Sequence, residues 1–368
     1  MKVLVTGADG FIGKNLRVFL GERPGFDVLP ITRSSSAEAL AQAANEADAV
    51  LHLAGVNRPK DPAEFDAGNA DFTAALCQAL AATGRAIPVA FASSIQAERD
   101  NPYGLSKREA ERHLSAYSES SGAPVALYRL ANVFGKWSRP NYNSAVATFC
   151  HNIARGLPIR IDNPDAPVQL VYIDDVVAEL IGFLASPGQG VRFAEAGPVY
   201  ATTVGELARQ VEAFRDMRHT LVAERVGTGL VRALYATYVS FLPTEAFSYE
   251  VPKYGDARGV FVEMLKTTDS GQFSFFTAHP GITRGGHYHH TKTEKFLVIK
   301  GRARYRFRHL ITDETFEVES SGEEPLVVDT IPGWSHDITN IGDDGLVVML
   351  WANEIFDRQK PDTVASKV

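Results

Sequence analysis

The sequence predicts two domains of different class: a doubly wound parallel α/β sheet over residues 1–243 and an all-β jelly roll over residues 244–368. Three observations predict it. Up to Leu242 short apolar strands alternate with helical patterns, the layout of a parallel sheet covered by helices on both faces. Pro243 then ends the last helical stretch. From Thr244 short strands follow at regular spacing, with turns at Asp269-Ser270-Gly271, Asp313-Glu314, Ser320-Ser321-Gly322 and Asp343-Asp344-Gly345, as in a small barrel. A length of 368 residues, 45% apolar and 22% charged, fits a globular chain of more than one domain.

The first strand, Lys2 to Thr6, runs straight into Gly7-Ala8-Asp9-Gly10-Phe11-Ile12-Gly13 and then into a helical pattern with Leu16, Phe19 and Leu20 facing inward. This strand, turn and helix order is what a dinucleotide site requires. Gly7 permits the tight turn, Gly10 lets the backbone approach a pyrophosphate and Gly13 allows close helix packing. The helix start at Phe11 and Ile12 favours the phosphate charge. The next strand, Asp27 to Ile31, ends in Thr32-Arg33. An arginine where NAD sites carry an acid suits a 2′-phosphate, so the expected cofactor is NADPH. The third strand, Ala49 to Gly55, is nearly all apolar, and its end, Leu53-Ala54-Gly55, joins the expected cofactor set.

After a further helix (Asn69 to Leu80) and strand (Pro88 to Ala92), Ser93-Ser94 lies at a strand's carboxyl end, where open α/β sheets build their sites. Tyr103-Gly104-Leu105-Ser106-Lys107 follows, with Pro102 at the first helical position, so Tyr103 and Lys107 share one helical face. A nearby ammonium favours tyrosinate, and the Tyr103 pKa is expected to fall toward working pH.

The glycine turn, His52-Leu53-Ala54-Gly55, Ser94, Tyr103-x-x-x-Lys107, Arg129 to Gly135 and Val171 to Val176 together resemble the extended short-chain dehydrogenase/reductases that act on nucleotide sugars. That resemblance spans about the first 240 residues and implies a Rossmann-type fold. It makes Tyr103 the acid/base, Lys107 also the holder of the nicotinamide ribose, and Ser94 the group that orients the carbonyl oxygen. Asn143 to Arg155, Val176 to Leu184 and Val204 to Phe214 read as amphipathic helices closing over a sugar nucleotide, with Asn132, Arg160 and Tyr172 as candidate contacts. The apolar stretch Gly227 to Leu242, with three aromatics, reads as a packing helix, and a second copy in a homodimer is one expected partner for it.

In the second half, His287 and His289 lie two apart, so on a strand both imidazoles face one way. Gly281, His287-x-His289, Glu294 and Gly301 resemble the first cupin motif. Pro332 to Asn340 resembles the second, one residue short between proline and glycine, with His336 as its ligand. The resemblance implies a divalent metal on His287, His289, Glu294 and His336. Zinc leads, with nickel, iron and manganese also compatible, and the adjacent His290 is a rival ligand. Asp256-Ala257-Arg258-Gly259-Val260-Phe261-Val262-Glu263 resembles the entry segment of the cupin-shaped 4-keto-6-deoxy sugar nucleotide epimerases, which implies Arg258 and Glu263 at the substrate. Those epimerases do not normally depend on a metal.

Over its whole length the chain resembles the CapF-type bifunctional enzymes of capsular and O-antigen polysaccharide synthesis. The resemblance implies C3 epimerisation of a UDP-linked 4-keto-6-deoxy-N-acetylhexosamine in the cupin, then NADPH-dependent C4 reduction in the first domain. Lys292, Lys295, His290 and Tyr305 all remain possible epimerase bases. The competing expectations are a plain reductase whose metal-holding cupin stabilises a dimer, and a non-catalytic sugar-nucleotide-binding protein.

Composition sets outer limits. A net charge of −7 disfavours nucleic acid and anionic membranes as partners. No segment is long and apolar enough to span a bilayer, and the start lacks a charged-then-apolar leader, so the expected location is cytoplasmic. Cys77 and Cys150 read as buried apolar residues. Arg302, Arg304, Arg306 and Arg308 alternate along one expected strand, as a phosphate-contacting face or a solvated one.

Overall fold

The structure, a computed structural model, describes residues 1–59, 61, 64–256, 259–262, 264–267, 271–354 and 359–368. The elements up to residue 240 run β1 (Lys2–Thr6), α1 (Phe11–Gly21), β2 (Asp27–Ile31), α2 (Ala37–Glu46), β3 (Ala49–His52), α3 (Phe72–Ala82), β4 (Val89–Ser94), α4 (Pro102–Ser121), β5 (Val125–Leu130), β6 (Asn132–Phe134), α5 (Ala145–Ala154), β7 (Pro167–Tyr172), α6 (Ile173–Ala185), β8 (Val191–Ala194), β9 (Val199–Thr203), α7 (Val204–Thr220), β10 (Val222–Ala223) and α8 (Gly229–Ser240).

Two compact units form. The first holds residues 1–144 and 168–202, and the second holds 145–167 and 203–368. In the first, six strands pair in parallel in the order β2-β1-β3-β4-β5-β8. The chain goes outward from β1 to β2, then crosses to β3 on the other side of β1. That reversal opens a crevice at the strands' carboxyl ends, where ligands of such sheets bind. Alternate residues Val50, Val89, Phe91, Val125 and Leu127 bury one face under Leu40, Leu76, Leu80 and Leu114 of the covering helices. A small sheet of β6, β7 and β9 completes the unit.

Pro243 lies inside the second unit. Helices α5, α7 and α8 belong to that unit with the barrel. The apolar side of α8 is covered within the chain: Tyr235 meets Phe214 of α7 edge-on, ring centres 5.1 Å apart. Arg218 of α7 reaches the barrel, ion-pairing with Asp329 and donating to the Ala246 carbonyl. The start of α7 is held by a capping box between Thr203 and Glu206.

The remaining strands are β11 (Ser248–Glu250), β12 (Lys253–Asp256), β13 (Gly259–Val262), β14 (Lys266–Thr267), β15 (Gln272–Ala278), β16 (Thr283–Tyr288), β17 (Glu294–Lys300), β18 (Arg302–His309), β19 (Thr315–Ser321), β20 (Leu326–Asp329), β21 (Trp334–Asn340), β22 (Leu346–Ala352) and β23 (Val364–Ala365). Two five-stranded sheets make the jelly roll, in the orders β11-β20-β17-β22-β15 and β19-β18-β21-β16-β23. Arg258 and Glu263 lie outside the described residues. The arginine row of β18 faces outward while Ala303, Tyr305 and Phe307 are buried. Arg302 pairs with Glu319, Arg306 with Asp337 and Arg308 with Asp313, so carboxylates already meet three of the four. No described helix is long and apolar enough to cross a membrane.

Candidate functional site

Each unit has its own chemistry. In the first, the glycine turn is built as the spacing requires. Gly7 has φ +67°, and its carbonyl accepts from Gly10 N–H at 2.9 Å. A Cβ on Gly7 would meet Ala54 N at 2.8 Å, and one on Gly13 would meet the Gly7 carbonyl oxygen at 2.4 Å. The loop thus lies against Leu53 and Ala54, whose N–H groups both donate to Thr6 Oγ1 at 3.2 Å. No side chain caps α1 and no acid occupies its first turn. The helix end at Phe11 and Ile12 can therefore meet an anion. Ala8 N–H donates to the Ile31 carbonyl at 3.2 Å, tying the turn to β2, and Arg33 stands exposed just beyond.

Helix α4 presents the tyrosine and lysine in its first two turns. Asn101 caps it through Gly104 N–H at 2.8 Å, Pro102 begins it, and Gly122 ends it in the left-handed conformation. Lys107 is buried, and its ammonium donates to the Ala92 carbonyl at 3.0 Å and sits 4.7 Å from the centre of the Phe91 ring. Burial lowers its pKa to about 8, against the opposing pull of Glu111. Tyr103 does not follow the expected direction. Burial raises its pKa, and the hydrogen bond with Ser94 only partly offsets this. The sequence revealed the ammonium's position along the helix but not the loss of water around the phenol. Ser93 Oγ is committed to Glu111 Oε1, which leaves Ser94 as the serine that meets Tyr103.

Sequence reasoning missed Asn69. It sits in a π-helical turn, Asp66–Asp71, a form often found at functional sites. Its amide clamps Val56 through both backbone groups, at 2.9 and 3.0 Å, and donates to Ser106 Oγ at 2.9 Å. His52 is buried between Thr6 Oγ1 at 2.6 Å and Thr73 Oγ1 at 2.9 Å, its pKa lowered to about 3 by burial and by Lys107. Of the expected sugar-nucleotide contacts, Asn132 donates to the Gln169 carbonyl at 2.9 Å and Tyr172 packs on Phe134. Arg160, in the second unit, is exposed and paired with Asp162.

In the second unit, Glu294 comes from one sheet of the barrel, and His287 and His336 from the other. The register of β16 shifts between Gly285 and His287, and such a bulge re-aims the side chain that follows it. One ligand atom from each of His287, His289, Glu294 and His336 lies within 4.8 Å of the others. His290 instead meets the Tyr288 ring edge-on.

The quartet fits a cation on its own evidence. His289 Nδ1 donates to the Asp362 carbonyl, so a neutral imidazole turns its Nε2 lone pair toward Glu294 Oε2, 3.2 Å away. Two acceptors that close need a positive charge between them. Among the described residues, both ring nitrogens of His336 are buried without a hydrogen-bond partner. Burial lowers the His287 pKa to about 4 and holds His336 well below its ordinary value, which suits neutral ligands. Burial works against the Glu294 carboxylate, which the Lys292 ammonium 3.2 Å away supports.

Three of the four, His287, Glu294 and His336, line a cavity of about 300 Å³ together with Arg284, Lys292, Tyr305 and Thr363. Tyr305 Oη is buried there without a partner among the described residues. Lys295, next in β17 after Glu294, points to the other face and is held by Asp329 at 2.6 Å. Of the four possible bases, only Lys292 and Tyr305 line the cavity.

A parallel sheet with a glycine turn at its mouth, and a buried lysine one turn from a tyrosine, define a nicotinamide-dependent oxidoreductase of the short-chain type. The chain belongs to the NAD dependent epimerase/dehydratase family, whose model matches residues 3–193, while residues 254–364 match the polysaccharide biosynthesis C-terminal domain. It is 59% identical to the UDP-2-acetamido-2,6-beta-L-arabino-hexul-4-ose reductase of Pseudomonas aeruginosa, over 100% of this chain and 99% of that one. Among solved structures it resembles the capsular polysaccharide assembling protein CapF from Staphylococcus aureus, 40% identical over the whole of both chains with a TM-score of 0.69. UDP-glucose 4-epimerase from Thermus thermophilus shares the fold, at 22% identity and a TM-score of 0.55, over 66% of this chain and 99% of that one.

Proposed function

We propose that this chain inverts C3 of a UDP-linked 4-keto-6-deoxy-N-acetylhexosamine in its barrel and then reduces C4 with NADPH in its first unit. The product is UDP-2-acetamido-2,6-dideoxy-L-talose. One observation carries the reading: Ser94 hydrogen-bonds Tyr103 one turn from buried Lys107, in a chain 59% identical throughout to a named keto-sugar reductase.

The order follows from the substrate. A C4 ketone acidifies the C3 proton, and reduction destroys that ketone. In the barrel, Lys292 and Tyr305 are the groups placed to move the C3 proton. A divalent metal held by His287, His289, Glu294 and His336, zinc first, would supply charge stabilisation to the oxygen that becomes negative as that proton leaves. In the first unit the nicotinamide supplies hydride. Ser94 hydrogen-bonds the C4 oxygen, Tyr103 passes it a proton, and Lys107 holds the ribose and keeps positive charge beside the phenol. Gly7, Gly10, Phe11, Ile12, Gly13, Leu53, Ala54 and Gly55 cradle the dinucleotide, with Arg33 on the 2′-phosphate. Asn132, Arg160 and Tyr172, with Arg258 and Glu263, are the proposed sugar-nucleotide contacts. The reading carries a cytoplasmic location and a homodimer, and a monomeric mass by light scattering would remove the latter.

The test incubates Tyr103→Phe with the keto sugar in D₂O. Reduction should fall by about 10²- to 10⁴-fold while deuterium still enters C3. No exchange in either variant or wild type would remove the barrel's part and leave a plain reductase. No NADPH oxidation by wild type would remove the enzyme reading.

A further inference from the structure

The last residues of the chain form a brace behind the barrel's imidazoles. The Asp362 carboxylate accepts three consecutive backbone N–H groups, from His290 at 2.8 Å and from Thr291 and Lys292 at 2.7 Å each, plus the Thr291 hydroxyl at 3.1 Å. A carboxylate in such a nest of amides fixes the backbone conformation around it. The fixed loop is the one that carries His289 into the quartet. From the same residue, the Asp362 carbonyl accepts from His289 Nδ1, which dictates that Nε2 is the nitrogen left to face the cation.

The rest of the segment continues the pattern. Thr363 Oγ1 accepts from Lys292 Nζ at 3.1 Å, and Thr363 lines the cavity. Val364 and Ala365 pair with Tyr288 and His287, and Ser366 N–H donates to the Gly286 carbonyl at 2.8 Å. The Ser366 carbonyl accepts from Ser335 Oγ at 2.8 Å, one residue before His336. Each of the three histidines thus has this segment bonded to it or to its neighbour in sequence, although Asp362 is 73 residues from His289.

We infer that Asp362 is a positioning residue for the metal centre, setting the tautomer and aim of His289 while Thr363 steers the Lys292 ammonium at the cavity wall. The inference rests on the proposed metal-holding quartet and deepens it. Hydrogen bonds to a ligand's far nitrogen are worth about 10- to 100-fold in metal affinity.

The full-length chain, stripped of metal, is titrated with Co²⁺ as wild type and as Asp362→Asn. The variant should bind about 10- to 100-fold more weakly, with a shifted visible absorption band, and should reduce an already C3-inverted keto sugar at the wild-type rate. Equal affinity and an unchanged band would overturn the inference alone. A wild type that takes up no Co²⁺ would overturn the inference together with the metal reading. Long-range ¹H–¹⁵N correlation on metal-free wild type tests the same point without a variant: His289 should carry its proton on Nδ1, and an Nε2–H tautomer would refute the assignment.

Discussion

Gly55 and Lys107 leave no room between them: a Cβ on Gly55 would lie 3.0 Å from Lys107 Nζ and 2.9 Å from Asn69 Oδ1. The ammonium is thereby wedged between the end of β3 and the Ala92 carbonyl. Gly55→Ala must displace either the lysine or the asparagine. Overpacking of this kind costs about 1–3 kcal/mol. The expected outcome is a fall in reductase kcat/KM larger than the change in thermal midpoint implies. An unchanged kcat would mean that Lys107 tolerates the shift.

His52 predicts an acid-sensitive first unit. Its native pKa of about 3 lies below the ordinary 6.5, so the unfolded chain binds the proton first as pH drops. Stability from its burial is complete above pH 6.5 and is lost as pH falls toward 3. Between pH 6.5 and 5 the loss is about 2 kcal/mol by linkage. Urea unfolding across that window should show this slope, and His52→Gln should flatten it.

The ion cluster of Arg218, Asp329 and Lys295 predicts two separable effects. Asp329 compensates two cations that have little water around them, at 2.5 and 2.6 Å. Asp329→Ala strands both, at a cost of about 3–5 kcal/mol, read as a lower unfolding midpoint of the second unit. Lys295→Met removes one cation, and because Lys295 points away from the cavity, C3 deuterium exchange should persist. Loss of exchange in a folded Lys295→Met protein would return this lysine to the list of bases.

Arg33 is solvent-exposed beyond β2, so replacing it should leave the fold unchanged and move only cofactor choice. Arg33→Ala is expected to raise KM for NADPH about tenfold or more, about 1.4 kcal/mol, with little change for NADH. Equal effects on both cofactors would show that the side chain does not meet a 2′-phosphate.

What the sequence made legible was the part of each site that runs along one element. Tyr103 and Lys107 follow a helix period, so spacing alone brings them together, whereas His287 and Glu294 stand on different sheets and only their resemblance to a known motif linked them. Partners brought in from elsewhere carry no such period. Asn69 lies in a π-helical turn, whose register no 3.6-residue pattern announces, and Asp362 meets His289 only after the barrel has closed. The Tyr103 pKa was misread for a related reason, because burial is a property of the packed fold. The arginine row of β18 was ambiguous until Glu319, Asp337 and Asp313 came to face it.

The chain passes between its compact units after residues 144, 167 and 202. A fragment beginning at Thr244 would lack Arg218, and with it the partner that Asp329 has on α7. Three covalent crossings tether the two units, so neither can be exchanged for a foreign module by cutting a single linker.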